Sequence, residues 1–414
     1  MTIKKGGEHK GGEHRTAVAA GACDGALFTH VGLEELAAQE ISEILPTKGR
    51  VATPVIGSGV VLCTNVSFLD LCILTYRSQI ASSVVLLVSG TSIRTLEELR
   101  DELGKESILR NIRQFVAKRS FAVRVRKEQG LDVSTREQER AIGELIFTSC
   151  SSQDATVDLE NPAITFLVHV SKQNCFFGID LAGFDLGKRN YKIFLHADSI
   201  KATVAYALVR LSGFSSKKKV LDPRTKSGSI PIEAALYALG RSPHQYEKER
   251  FAFLKMDAFK DATSEGEFFA FENAVDKEAE VGDIFAYDDN ARNVKAAERN
   301  AKIAGVNKKI YFSRTDMEWL DTKFDKESLD CIAVNWQSSS RLRLQEQKKE
   351  DKLLAELFYS AKYILKKEGK IAILVKEGQD MTMHAAKHEF ALVTNVAVMQ
   401  GLEQLRIQVF SHQL

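Results

Sequence analysis

The second half of the chain constrains the fold most tightly. Apolar segments of strand length alternate there with segments of helix length: KVLDP, IPIEAALYAL, DIFAYDDN, ARNVKAAERNAKIAG, KIYFSRTD, LDCIAVNW, KLLAELFYSAKYILKK and GKIAILVKEG. This succession predicts a doubly wound, mainly parallel α/β sheet with helices on both faces. The last segment, ALVTNVAVMQGLEQLRIQVFSHQL, reads as a hairpin of two strands around Gly401.

The first half has a different rhythm. Residues 27–88 read as strand, helix (GLEELAAQEISEIL), strand, helix (SFLDLCILTYRS) and strand, a small α+β unit. Residues 93–179 give a second such unit, with helices near 96–103 and 135–148 and strands at SFAVRVR, TVDLENP, ITFLVHV and CFFGID. A length of 414 residues accommodates two or three domains. Residues 1–26 repeat GGEH, hold few large apolar side chains and read as a flexible tail; His9 and His14 belong to it.

Composition narrows the classes. A net charge of +2 excludes a uniformly basic protein, so any nucleic-acid surface has to be segmental. The six cysteines show no C-x-x-C spacing, which suggests neither a zinc site nor a disulfide framework and fits a reducing, cytoplasmic setting. No apolar run approaches the roughly 20 residues of a membrane span. His384 and His388 stand four apart without a third ligand and read as an exposed helix face.

The stretch LDPRTKSGSIPIEAAL places a small-residue turn between a buried strand and a helix that begins near Pro231. Such a turn brings backbone close to a ligand. TKSGS lacks the residue order of a P-loop. Lys226 stands in the turn, and Arg224 and Lys226 just before a helix N-terminus suggest a seat for an RNA phosphate or another acidic ligand. Asp288 and Asp316 follow consecutive strands, where helix capping or turn formation is as good a reading as a ligand site. Basic residues gather at Arg110, Arg113, Lys118, Arg119, Arg124, Arg126 and Lys127, interleaved with Phe115 and Phe121, and again at Lys188, Arg189, Lys192 and Lys217 to Lys219. By themselves these describe a solvated charged face.

The landmarks GLEELAAQE, TYRSQIASSVVLLV, SFAVRVR, TVDLENP, GIDLAGFDLGKRNY, ALVRLSGF, SIPIEAAL, RFAFLKMDAF and AAERNAKIAGV occur in an order that resembles the THUMP-containing RNA guanine-N2 methyltransferases of tRNA or large-subunit rRNA. The resemblance implies an N-terminal ferredoxin-like unit (27–90), a THUMP RNA-binding domain (91–182) and a Rossmann-like class I methyltransferase domain with its C-terminal hairpin (195–414). It implies S-adenosylmethionine as cofactor, held by Asp222, Gly228, Asp288 at the ribose and Asp316 at the adenine. Structured RNA would meet Arg113, Lys118, Arg119, Arg124, Arg126, Lys188 and Arg189, and a small activating protein subunit is a further implied partner.

Two loops depart from the family pattern. Where the family has DP-x-C-G-S-G-T, the first of these glycines is Lys226; if the backbone keeps φ > 0, a lysine strains it and fills part of the pocket, at about 1–3 kcal/mol. Where the family has N-P-P-Y, the sequence reads NWQSSSR: Asn335 remains to grip a flipped base, and Trp336, Gln337 and Ser338 replace the rings. Trp336 either stacks on a base or packs beneath a neighbouring helix. These departures lead to the expectation of an RNA-binding protein with weakened or lost catalysis; the alternative is an active methyltransferase of guanine N2.

Overall fold

The computed structural model describes residues 23–46, 50–89, 95–128, 130–172, 174–274, 281–337 and 344–413. Eight strands form the N-terminal sheet: β1 (Cys23–Phe28), β2 (Val51–Val55), β3 (Val60–Val66), β4 (Ser83–Ser89), β5 (Ser120–Lys127), β6 (Thr156–Val157), β7 (Ile164–Val170) and β8 (Cys175–Asp180), in the order β2-β3-β1-β4-β8-β7-β5-β6. The two α+β units are therefore joined edge to edge, β4 pairing antiparallel with β8. Gly178 of β8 permits this approach, because a Cβ there would lie 2.6 Å from the Leu86 carbonyl oxygen. The first β1 residue is Cys23, so the tail expected to reach residue 26 gives way to strand earlier; residues 1–22 lie outside the described residues. The TVDLENP strand stops after two residues because the Asp158 carboxylate accepts the Glu160 and Asn161 amides, both at 2.9 Å, and turns the chain.

The C-terminal sheet has seven strands: β9 (Val220–Asp222), β10 (Ile284–Asp288), β11 (Ile310–Arg314), β12 (Leu329–Asn335), β13 (Leu365–Lys376), β14 (Phe390–Gln400) and β15 (Glu403–His412). Their order is β11-β10-β9-β12-β13-β15-β14; the first five are parallel, and β15 runs antiparallel to both neighbours. The connections reverse direction between β9 and β12. Ligands of such sheets sit outside the carboxyl ends at this switch point, which places the ends of β9 and β12 at the centre of any site.

The halves are locked together by buried polar groups. Within the helix Ser229–Ala238 the one charged residue is Glu233, which is fully buried. Glu233 Oε1 accepts Arg189 Nε at 3.0 Å and the Tyr191 hydroxyl at 2.8 Å, while Oε2 accepts Gln79 Nε2 at 2.7 Å. Arg189 also donates to the Gln79 carbonyl at 2.6 Å and is itself fully buried. Arg189 is thus an interior strut and not an RNA contact, contrary to its reading as part of a basic surface. Nearby, the His30 ring bridges Met399 O (2.8 Å) and Thr203 Oγ1 (2.9 Å), fixing the β14–β15 hairpin to the N-terminal half.

Removing one partner of a buried pair strands the other's charge. Arg189→Ala is expected to cost about 3–5 kcal/mol in urea unfolding, and Arg189→Met combined with Glu233→Met to recover part of that loss. A cost below about 1 kcal/mol would contradict the role assigned to the pair.

Candidate functional site

The turn between β9 and the helix Ser229–Ala238 is pinned by the end of β10. Thr225 N–H donates to Tyr287 O (2.9 Å), Lys226 N–H to Asp288 Oδ2 (2.9 Å), and Gly228 N–H to Thr225 O (2.7 Å). Lys226 has φ +50°, the left-handed conformation expected of the glycine it replaces. Its side chain is 7% exposed and its Nζ donates to Asp198 Oδ2 at 3.3 Å. Gly228, at φ +83°, is required by packing: a Cβ would lie 2.8 Å from Ala297 Cβ.

Asp288 has a structural task. Its carboxylate accepts the amides of Lys226 and Asn290 and the Asn293 Nδ2, all within 3.0 Å, and it is buried. It braces the turn, with Oδ1 accepting two of these bonds and Oδ2 one. The neighbouring Asp289 is exposed and lines a cleft of about 520 Å³ together with Pro223, Arg224, Thr315, Asp316 and Leu353. Asp316 is exposed and starts the short turn Met317–Trp319 without a side-chain cap bond, so its carboxylate stays available to the cleft. Sequence reading singled out Asp316 and passed over Asp289; the doubled acid at the end of DIFAYDD was the signal, since one aspartate braces the turn and the next faces outward.

At the end of β12, Asn335 is buried, its Nδ2 donating to the Asp198 main-chain oxygen (2.9 Å) and its Oδ1 accepting the Gln337 amide (3.2 Å). One lone pair of Oδ1 is left over. Trp336 is buried among Leu354, Leu357 and Phe358 of the helix Leu344–Ile364, and the Arg224 guanidinium lies 4.6 Å from its ring centroid. The packing alternative for Trp336 is the one the structure takes. Ser338 lies outside the described residues.

The phosphate seat expected at Arg224 and Lys226 is not formed. Arg224 makes a bidentate pair with Glu350 (2.9 and 3.2 Å), and Lys226 is buried on Asp198. Among the RNA-binding candidates, Lys118 and Lys188 are exposed. Arg113 pairs with Glu106 at 2.5 Å and Arg119 with Asp257 at 2.5 Å, Arg124 donates to Leu159 O, and Arg126 to Ser83 Oγ at 2.7 Å. These four are half-buried; Arg113 and Arg124 bond within the THUMP unit, whereas Arg126 reaches β4 of the preceding unit and Arg119 reaches Asp257 beyond the connector.

Three atoms of the turn bear on whether a methyl donor fits. Asp222 Oδ2 and Ser229 Oγ are buried without a hydrogen-bond partner, and Thr225 Oγ1, close to Asp222, makes no bond of good geometry. Orphaned polar atoms in a glycine turn suit the ammonium and carboxylate of an amino-acid end, and the adjoining cleft has space for an adenosine. The residues present fit S-adenosylmethionine.

Burial, with Asp288 adding to it, pushes the Asp222 carboxyl up to about 8 from its ordinary 3.8, against the opposing pull of the Arg224 amide and Lys226. The folded chain then keeps a proton that the unfolded chain releases, so this group's contribution to stability falls as pH rises from about 4 to about 8 and is level above. Asp222→Asn removes the dependence. Its stability relative to the parent is expected to rise through that window by on the order of a few kcal/mol, followed by thermal melts from pH 4.5 to 8.5; a pH-independent difference would contradict the assignment.

Comparison with known proteins completes the site. Residues 189–406, just over half of the chain, match the family described as RMKL-like, methyltransferase domain, and residues 97–180 match the THUMP domain. A tRNA (guanine(6)-N2)-methyltransferase of Methanocaldococcus jannaschii is 27% identical over 68% of this chain and 73% of its own length. A ribosomal RNA large subunit methyltransferase K/L of Acinetobacter baumannii is 27% identical over 59% of this chain, which spans only 35% of that longer protein. In structure the chain is similar to TrmN from Thermus thermophilus (TM-score 0.64, 22% identity, covering 94% of this chain and 99% of that one). It is also similar to a "possible methylase" from Clostridium difficile 630 (TM-score 0.74, 20% identity, 95% and 99%). With its strand order, its switch-point cleft and a THUMP domain ahead of them, the chain belongs to the RMKL-like methyltransferase-domain family.

Proposed function

We propose that the protein is an S-adenosylmethionine-dependent methyltransferase acting on guanine N2 of a tRNA or rRNA, in the reducing cytoplasm that its six free cysteines suit. One observation carries the reading: the turn after β9 keeps unspent buried polar atoms at Asp222 and Ser229, and its Pro223 and Arg224 line an open cleft together with Asp289 and Asp316. The names of the archaeal tRNA relative and the bacterial rRNA relative supply the substrate class.

Each residue then has a task. Asp316 and Asp289 would accept hydrogen bonds from the adenosine end, and the turn around Asp222 would hold the amino-acid end. The bound cofactor supplies an electrophilic methyl group on sulfur. Asn335 keeps its free Oδ1 lone pair and a neighbouring main-chain oxygen, that of Asp198, with which to orient an exocyclic amine. Catalysis is by positioning of the two reactants. Lys118 and Lys188 offer exposed charge to RNA phosphates.

A second reading, RNA binding without transfer, is favoured by one observation: Trp336 is packed inward, so the loop after Asn335 offers no ring from that position. Incubation with tritiated cofactor and RNA lacking endogenous modification separates the two. N2-methylguanosine is expected in the digest, reduced about 100-fold by Asn335→Ala, while cofactor affinity falls about tenfold in Asp316→Ala. RNA retention without methyl transfer, in the presence of cell extract as well as alone, would favour the second reading; transfer that requires extract would reveal the small activating subunit. Lys118→Ala is expected to lower the slope of log affinity against log salt by about 1.

A further inference from the structure

We propose that Lys226 is a ligand-binding residue of this chain: its ammonium receives the carboxylate of the methyl donor by exchange for Asp198. The inference rests on the cofactor reading above and concerns a position at which the chain departs from the glycine pattern.

Sterically, a lysine at this point is an obstruction, and an inert plug would be satisfied by its surroundings. Lys226 is not. An ammonium carries three donors, and among the described residues one of them is used, on Asp198 Oδ2 at 3.3 Å. The side chain is nevertheless 7% exposed. In the same turn Asp222 Oδ2 and Ser229 Oγ are buried without partners. A free protein that keeps unspent donors beside an orphaned acceptor and an orphaned hydroxyl pays for each as an unmet hydrogen bond. A zwitterion relieves them together, its ammonium on Asp222, which releases its proton to solvent as the pair forms, and its carboxylate on Lys226.

Asp198 is built to be displaced. Its side chain is 48% exposed, so it returns to water at little cost, and one carboxylate replaces another on the same cation. Its main-chain oxygen also accepts the Asn335 Nδ2 at 2.9 Å. The exchange at Lys226 therefore acts on the segment that steadies the base-gripping asparagine.

Calorimetry with two probes tests this, S-adenosylhomocysteine and 5′-methylthioadenosine, which lacks the amino-acid end. In Lys226→Met the homocysteine compound is expected to bind about 10- to 100-fold more weakly, and in Asp198→Asn several-fold more tightly, with methylthioadenosine changed less than about twofold in both. Unchanged methylthioadenosine binding certifies that the variants are folded. Equal or tighter binding of S-adenosylhomocysteine by Lys226→Met identifies the lysine as an obstruction and overturns the proposal while leaving the cofactor reading intact. Failure of the parent protein to bind either probe removes the cofactor reading and this proposal with it.

Discussion

A single buried carboxylate links the two halves of the molecule. Glu233 lies in the helix that follows the turn after β9, and it is paired with Arg189 and bonded to Tyr191 and Gln79, groups that come from the connector and from the loop ahead of β4. Taking both charges out of water is expensive unless the remaining hydrogen bonds are made, and here they are made by residues of separate segments. The turn, the connector and the RNA-facing half are held in one geometry because each satisfies the others' polar atoms. On the proposed function, an RNA held by the N-terminal half would be presented at a defined distance from the β9 and β12 ends.

Within that frame the site pairs charges in a consistent way. Arg224 is neutralised by Glu350 and spread over Trp336, Lys226 by Asp198, and the turn's backbone by Asp288. Only the Lys226 pair is made to a half-exposed partner over a long contact, so it is the pair that yields to a ligand at least cost. The Arg224 pair, bidentate and stacked, forms a fixed wall of the cleft.

The fold was legible where it rests on periodicity: the strand–helix alternation of the C-terminal half and the closing hairpin about Gly401 stand where the pattern puts them, whereas the strand Val51–Val55 and the helix Glu106–Val116 of the N-terminal half were not read. The left-handed turn at Lys226 was legible for the same reason, since the strand, turn and helix around it fix the backbone path. What could not be read is who meets whom. Arg189 counts as a surface cation until its partner is found 44 residues away; the available signal was a lone glutamate inside the apolar stretch IPIEAALYAL, which demands a buried cation. Asp198, 28 residues before Lys226 in an irregular segment, carried no signal at all. Which of Asp288 and Asp289 faces the cleft depends on the last residue of β10, below the precision of reading strand ends from sequence. The expectation of lost chemistry treated Lys226 and Trp336 as damage, because a sequence shows the missing glycine and prolines but not the orphaned polar atoms left beside them.

The amino-acid end of the cofactor is where Lys226, Asp222 and Asp198 meet their test. A crystal structure of the complex with S-adenosylhomocysteine is predicted to show its carboxylate at about 3 Å from Lys226 Nζ, its ammonium on Asp222, and the Asp198 side chain turned out to solvent. A complex in which Lys226 still holds Asp198, with the ligand's carboxylate elsewhere or the turn empty, would contradict it.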